Sequence, residues 1–148
     1  MENSSVITAV TDIAGSPEEV WSVLTDLAAY AQWHPGLSYI DAPAEILPGT
    51  ALRAQVTNGS EADGERAFTV VHYEAPRRFV WQAGIPDVVN AVHSYVLEPY
   101  DGGTRLTESE EITGPAAAQF VEGDGRSQTE ERYVSYGKAL AKQVEAVR

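Results

Sequence analysis

The chain has 148 residues, 43% hydrophobic and 22% charged, which suffices for one globular domain with a sizeable core. Its 22 acidic and 10 basic residues give a formal charge of −12, which repels nucleic acid and anionic lipid surfaces. Zero cysteines exclude disulfides, thiol catalysis and thiolate metal sites, and no apolar run is long enough to span a bilayer.

The opening MENSSVITAV has neither a basic region nor an apolar stretch before a cleavage site, so no signal peptide and a cytoplasmic location are expected. Val6 to Ile13 reads as the first strand, its apolar residues alternating with Thr and Ala. Ser16 is a good N-cap, Pro17 suits the first helical position, and Glu19 stands at capping-box spacing. That helix is expected over Pro17 to Asp26, burying Val20, Trp21 and Leu24. A second helical piece, Leu27 to Gln32, is broken by Trp33-His34-Pro35-Gly36.

From Leu37 the period changes to two. Leu37 to Ile46 reads as a strand interrupted at Pro43, and Leu52, Ala54 and Val56 share the buried face of the next. Asn58 to Gly64 is a polar turn. Strands follow over Glu65–Tyr73, Arg78–Gln82, Val88–Glu98 and Thr104–Thr113, with a loop at Gly84-Ile85-Pro86-Asp87 and a tight hairpin at Asp101-Gly102-Gly103. Ala116 to Val121 makes a helical turn, and Gly123-Asp124-Gly125 interrupts the chain, a candidate hinge. The last element, Arg126 to Arg148, is an amphipathic helix of about six turns. Tyr133, Tyr136, Leu140, Val144 and Val147 recur along one face of it at three- and four-residue steps. A helix of that length needs a covering surface, so the simplest architecture lays it on the concave face of a curved antiparallel sheet. No repeat or linker divides residues 1–148, which read as one domain, monomeric or homodimeric.

Several motifs occur in this order: IAGSPEEVW from Ile13, YAQWHP from Tyr30, YEAPRRFVW from Tyr73, LEPYDGGTRL from Leu97 and EITG from Glu111. Over nearly the whole chain this pattern resembles the polyketide cyclase/dehydrase branch of the START-like (SRPBCC) superfamily, which includes the birch-pollen-allergen-like proteins. The resemblance implies an α+β helix-grip fold: a seven-stranded antiparallel sheet wrapped round the C-terminal helix, two short helices after strand 1, and a deep cavity. It also implies a hydrophobic small-molecule ligand, such as a polyketide, sterol or other lipid. For some members it implies cyclisation or dehydration.

If the cavity exists, alternation selects the side chains that enter it. Leu106, Glu108, Glu110 and Ile112 share one face of the last strand; its apolar members turn that face inward and carry both glutamates with them. His93 and Tyr95 lie on the neighbouring strand. One reading is an acid–base site inside an apolar pocket, with Glu110 as base, His93 as proton partner, Tyr95 as donor and Glu108 as auxiliary. Such a site suits cofactor-free cyclisation or dehydration. Two alternatives stand beside it: buried polar groups that merely satisfy one another, or a one-residue shift that turns both glutamates to solvent. A non-catalytic carrier or sensor with the same cavity is the rival function. Trp33, His34, Tyr39, Phe68, Phe79, Trp81, Phe120 and Tyr133 are candidates for the ligand-binding wall, and Trp21 is expected in the core. Phe68, Val70 and His72 form one face of their strand and Tyr73 the other, with neither face assigned inward. The cyclases of the superfamily often place an Arg in the cavity, for which Arg53 and Arg66 are candidates. The three histidines lack metal-ligand spacing, so no metal and no cofactor are expected.

Overall fold

A computed structural model describes residues 5–59 and 63–148. The first four residues, and residues 60–62 of the expected polar turn, lie outside the described residues. Seven strands form one curled antiparallel sheet in the order β1-β7-β6-β5-β4-β3-β2, and a long C-terminal helix lies against it in a helix-grip fold. The strands are β1 Val6–Ile13, β2 Leu37–Tyr39, β3 Ala51–Val56, β4 Gly64–Glu74, β5 Arg78–Ile85, β6 Val89–Tyr100 and β7 Gly103–Thr113. The helices are α1 Pro17–Leu24, α2 Tyr30–Trp33, α3 Ala118–Val121 and α4 Gly123–Val147, with a 3-10 turn at Leu27–Ala29.

Helix α1 starts where its cap chemistry puts it. Ser16 Oγ accepts from the Glu19 amide at 3.1 Å, and Glu19 Oε1 accepts from the Ser16 amide at 2.9 Å. Val20, Trp21 and Leu24 are buried, Trp21 tilting against Tyr73 at 5.1 Å between ring centroids. Inside the sheet, Leu97 and Leu106 face each other across β6 and β7 and are fully enclosed. Burial of each such side chain contributes about 1.5–3 kcal/mol.

Small shifts aside, such as α1 ending at Leu24 rather than Asp26 and β6 running on to Tyr100, four features differ from the sequence reading. Strand β2 ends at Tyr39 rather than running to Ile46; Asp41, at φ 49°, turns the chain out of the sheet two residues before Pro43. Gly84 and Ile85 pair with Asn90 and Val89, so the first half of the expected loop is the end of β5, and Pro86 and Asp87 form the turn. The register of β4 on β5 shifts between Val70 and His72, a bulge with one extra residue. It leaves Phe68 and Val70 buried, sends His72 to the surface and brings Tyr73 inward against Trp21 and Phe79. Finally, α4 begins at Gly123: the break falls at the extended Glu122, and Gly123-Asp124-Gly125 form the first turn of the helix.

The buried stripe of α4 is Thr129, Tyr133, Gly137, Leu140 and Val144. Val147 is 61% exposed, because the helix has by then passed the edge of the sheet's core. Gly137 marks a close approach of α4 to β1. A Cβ there would collide with Thr11 Oγ1, so only glycine lets α4 sit this near β1.

Candidate functional site

The inward rows of the sheet explain why it is hollow. Across β5 and β6 the facing pairs are Phe79 with Tyr95, Trp81 with His93, Ala83 with Ala91 and Ile85 with Val89. The first two rows are filled by rings, Phe79 stacking on Tyr95 and Trp81 on His93. The third row, Phe68–Ala83–Ala91–Ile112, puts two methyl groups where large side chains would fill the space. A cavity of about 130 Å³ results, roofed by Thr129, Arg132, Tyr133 and Tyr136 of α4.

Its chemical feature is a buried carboxylate–imidazole–carboxylate line. His93 lies opposite Glu110 and diagonal to Glu108, which itself faces Tyr95. His93 Nδ1 is 2.9 Å from Glu110 Oε2 and Nε2 is 2.7 Å from Glu108 Oε2. The three residues are 3%, 9% and 2% exposed for His93, Glu110 and Glu108 respectively. Burial alone pushes the imidazole towards the neutral form. The Glu110 charge, the hydrogen bonds to both carboxylates and the Glu108 charge outweigh it and raise the pKa to about 9. His93 is therefore held in the imidazolium form, donating to both glutamates. Trp81, stacked nearly parallel to the ring at 4.7 Å, offers its π face to that cation, and Tyr133 meets it edge-on at 5.3 Å.

Glu110, His93 and Tyr95 all line the cavity. Glu108 sits behind His93 and does not. Since Glu110 Oε2 is engaged by His93, its Oε1 is the oxygen a ligand can meet. Burial, followed by the nearby Glu108 charge, holds the Tyr95 phenol far above its ordinary pKa, so it remains a proton-bearing donor. The Trp81 indole Nε1 is buried beside it without a partner in hydrogen-bond geometry.

Of the expected wall, His34, Phe68, Trp81, Phe120 and Tyr133 line the cavity. Trp33, Tyr39 and Phe79 do not. Phe79 fills the ring-packed row below, while Tyr39 and Trp33 pack around Tyr30 beneath the α2 turn. His34 closes the mouth: its Nδ1 accepts from the Gly36 amide at 3.1 Å and its ring lies 4.4 Å from Tyr136. Burial, with a smaller push from the His93 charge, lowers its pKa to about 3. Of the two candidate arginines, Arg53 is on the outer face, paired with Asp41 and Glu65, because it alternates with the buried Leu52 and Ala54. Arg66 lines the cavity, and its terminal nitrogens donate to the Glu65 and Asp63 carbonyls. Among the described residues no three His, Asp or Glu side chains gather as a metal would require.

Residues 5–145 match the model of the family described as polyketide cyclase/dehydrase and lipid transport. The chain belongs to that family. Solved structures of similar fold include DynU16, a protein in the dynemicin biosynthetic locus (TM-score 0.72, 20% identity), matched over 98% of this chain and 49% of DynU16. This member thus spans about half the length of DynU16. A START superfamily protein from Mycobacterium smegmatis matches at TM-score 0.74 and 20% identity, over 97% of this chain and 99% of that one. Ara h 8.0201 matches at TM-score 0.68 and 11% identity, over 95% and 97%. No curated protein matches the sequence.

For this polyketide cyclase/dehydrase family member, sequence reasoning missed three kinds of cavity residue. Ala83 and Ala91 escape a search for chemistry because they act by being small. Arg132 and Thr129 lie beside the predicted apolar stripe of α4. Asn58 borders the β3–β4 turn.

Proposed function

We propose that this protein binds a hydrophobic, carbonyl-bearing small molecule in the cavity and catalyses its cofactor-free cyclisation or dehydration by proton transfer. The observation that carries this reading is the Glu108–His93–Glu110 line ending at an apolar cavity. The cavity, at about 130 Å³, bounds the enclosed part to the size of one ring; cavities of roughly 150 Å³ lined by apolar side chains take benzene. A polyketide-like substrate would place one end inside.

In the proposed reaction Glu110 Oε1 removes a proton from the carbon next to a ketone. The C–H electron pair moves into the new C=C bond and the carbonyl pair onto oxygen, where the Tyr95 hydroxyl donates a hydrogen bond. For dehydration, the enolate expels a β-hydroxyl, which takes the proton back from Glu110 and leaves as water. For cyclisation, the enolate carbon attacks a second carbonyl and the new alkoxide takes that proton. The imidazolium of His93 holds Glu110 in place throughout, and Glu108 holds His93.

The test uses phenylacetone, a one-ring ketone, in D2O. Proton NMR follows exchange of its α-hydrogens, and tryptophan fluorescence follows binding. The expected result is exchange above the buffer rate, reduced about 100-fold in Glu110→Gln with binding retained, in line with the usual size of general-base effects. Binding with exchange at the buffer rate in the wild type would refute catalysis and leave a carrier.

A further inference from the structure

The cavity has an electrostatic polarity along its length. Its inner end carries two acidic side chains, Glu108 and Glu110, on either side of one imidazole, His93. Its outer end carries two guanidinium groups, Arg66 on β4 and Arg132 on α4. Arg66 lies four residues before Val70, whose row across the sheet is Val70–Trp81–His93–Glu110. At roughly 3.3 Å per residue, the two ends are about 13 Å apart along the strands.

Arg132 is the unengaged cation of the pair. Arg66 spends its terminal nitrogens on the carbonyls of its own turn. Arg132 forms no hydrogen bond and no ion pair among the described residues, in a chain with 22 acidic side chains. Its electrostatic neighbour is the Tyr136 phenol. Arg132, Asn58 and Tyr136 line both the cavity and a groove on the outer surface, so the guanidinium stands where one passes into the other. Glu131, next in sequence, lines that groove and not the cavity.

We propose that the ligand is an amphipathic monocarboxylic acid, its ring or short apolar segment inside the cavity and its carboxylate bound by Arg132 at the mouth. This rests on the ligand-binding reading above and adds its chemical class and its orientation. A carboxylate entering first would meet another acidic side chain, Glu110, whereas one trailing meets a planar, five-donor cation. The reacting end is thereby the apolar end, presented to Glu110.

The experiment compares 3-phenylpropanoate with 3-phenylpropanamide, which share shape and differ in charge. Titrations followed by tryptophan fluorescence at low salt use the wild type, Arg132→Gln and Arg66→Gln, with far-UV circular dichroism to verify folding. The wild type is expected to bind the acid at least tenfold more tightly than the amide. Arg132→Gln should reduce that ratio to near one, and Arg66→Gln should leave a ratio near the wild type's. Raising salt should also shrink it in the wild type. Equal binding of acid and amide by the wild type, or a preference that survives Arg132→Gln, overturns the proposal and leaves the cavity reading standing. A preference abolished only by Arg66→Gln overturns the assignment to Arg132. Binding of neither compound removes the cavity reading itself, and this one with it.

Discussion

Removing the proton from His93 by raising the pH should destabilise the protein over a defined window. The folded-state pKa is about 9 against an ordinary 6.5, so the folded protein binds this proton more tightly than the unfolded chain. The stability it contributes is fully present below pH 6.5 and is lost as the pH rises through 9. At about 1.36 kcal/mol per unit, a difference of about 2.5 units is worth on the order of 3 kcal/mol, a large fraction of the stability of a domain this size. Physically, deprotonation withdraws one donor from between two enclosed carboxylates at 2.9 and 2.7 Å. Urea unfolding from pH 6 to 10 should show stability falling by about 1.4 kcal/mol per pH unit in mid-window at constant m-value. His93→Gln, which cannot titrate, should be less stable at pH 6.5 and flat across the window. The imidazole carbon shifts of His93 should report a cation at pH 7.5. A wild-type profile flat from pH 6.5 to 9, or a neutral ring at pH 7, would refute the reasoning.

His34 should behave in the opposite sense. Its folded pKa of about 3 lies below 6.5, so its contribution is present above pH 6.5 and is lost as the pH falls towards 3; NMR should find the ring still neutral at pH 5. Gly137→Ala forces a methyl group onto Thr11 and should cost about 1–3 kcal/mol in urea unfolding, with Thr11→Ala partly restoring it. Ala91→Leu puts a large side chain into the hollow row and should abolish phenylacetone binding while shifting stability by less than about 1.5 kcal/mol.

The elements were legible because their signals are local. Ser16, Pro17 and Glu19 announce α1 wherever the rest of the chain goes, and the inward face of β7 follows from Leu106 and Ile112 bracketing Glu108 and Glu110. That bracketing also placed Glu110 beside His93. His72 was not legible, because one bulged residue exchanges the faces of a strand and nothing at Val70 or Val71 marks it. Val147 continues the stripe of α4 in sequence, but its exposure depends on where the sheet ends. The size of the cavity was beyond sequence reading too: it depends on Ala83 and Ala91 standing opposite each other, which is a matter of register.

The tight seat of Gly137 on Thr11 divides α4 into two halves with different duties. Beyond it, Leu140 and Val144 are packed into the core with Ile13, Val20 and Leu24 and anchor the helix. Before it, Thr129, Arg132, Tyr133 and Tyr136 roof the cavity. Those four positions can be varied to reshape the cavity while the anchored half keeps the scaffold intact, which makes the first half of one helix a natural place for the cavity's shape to drift or to be redesigned.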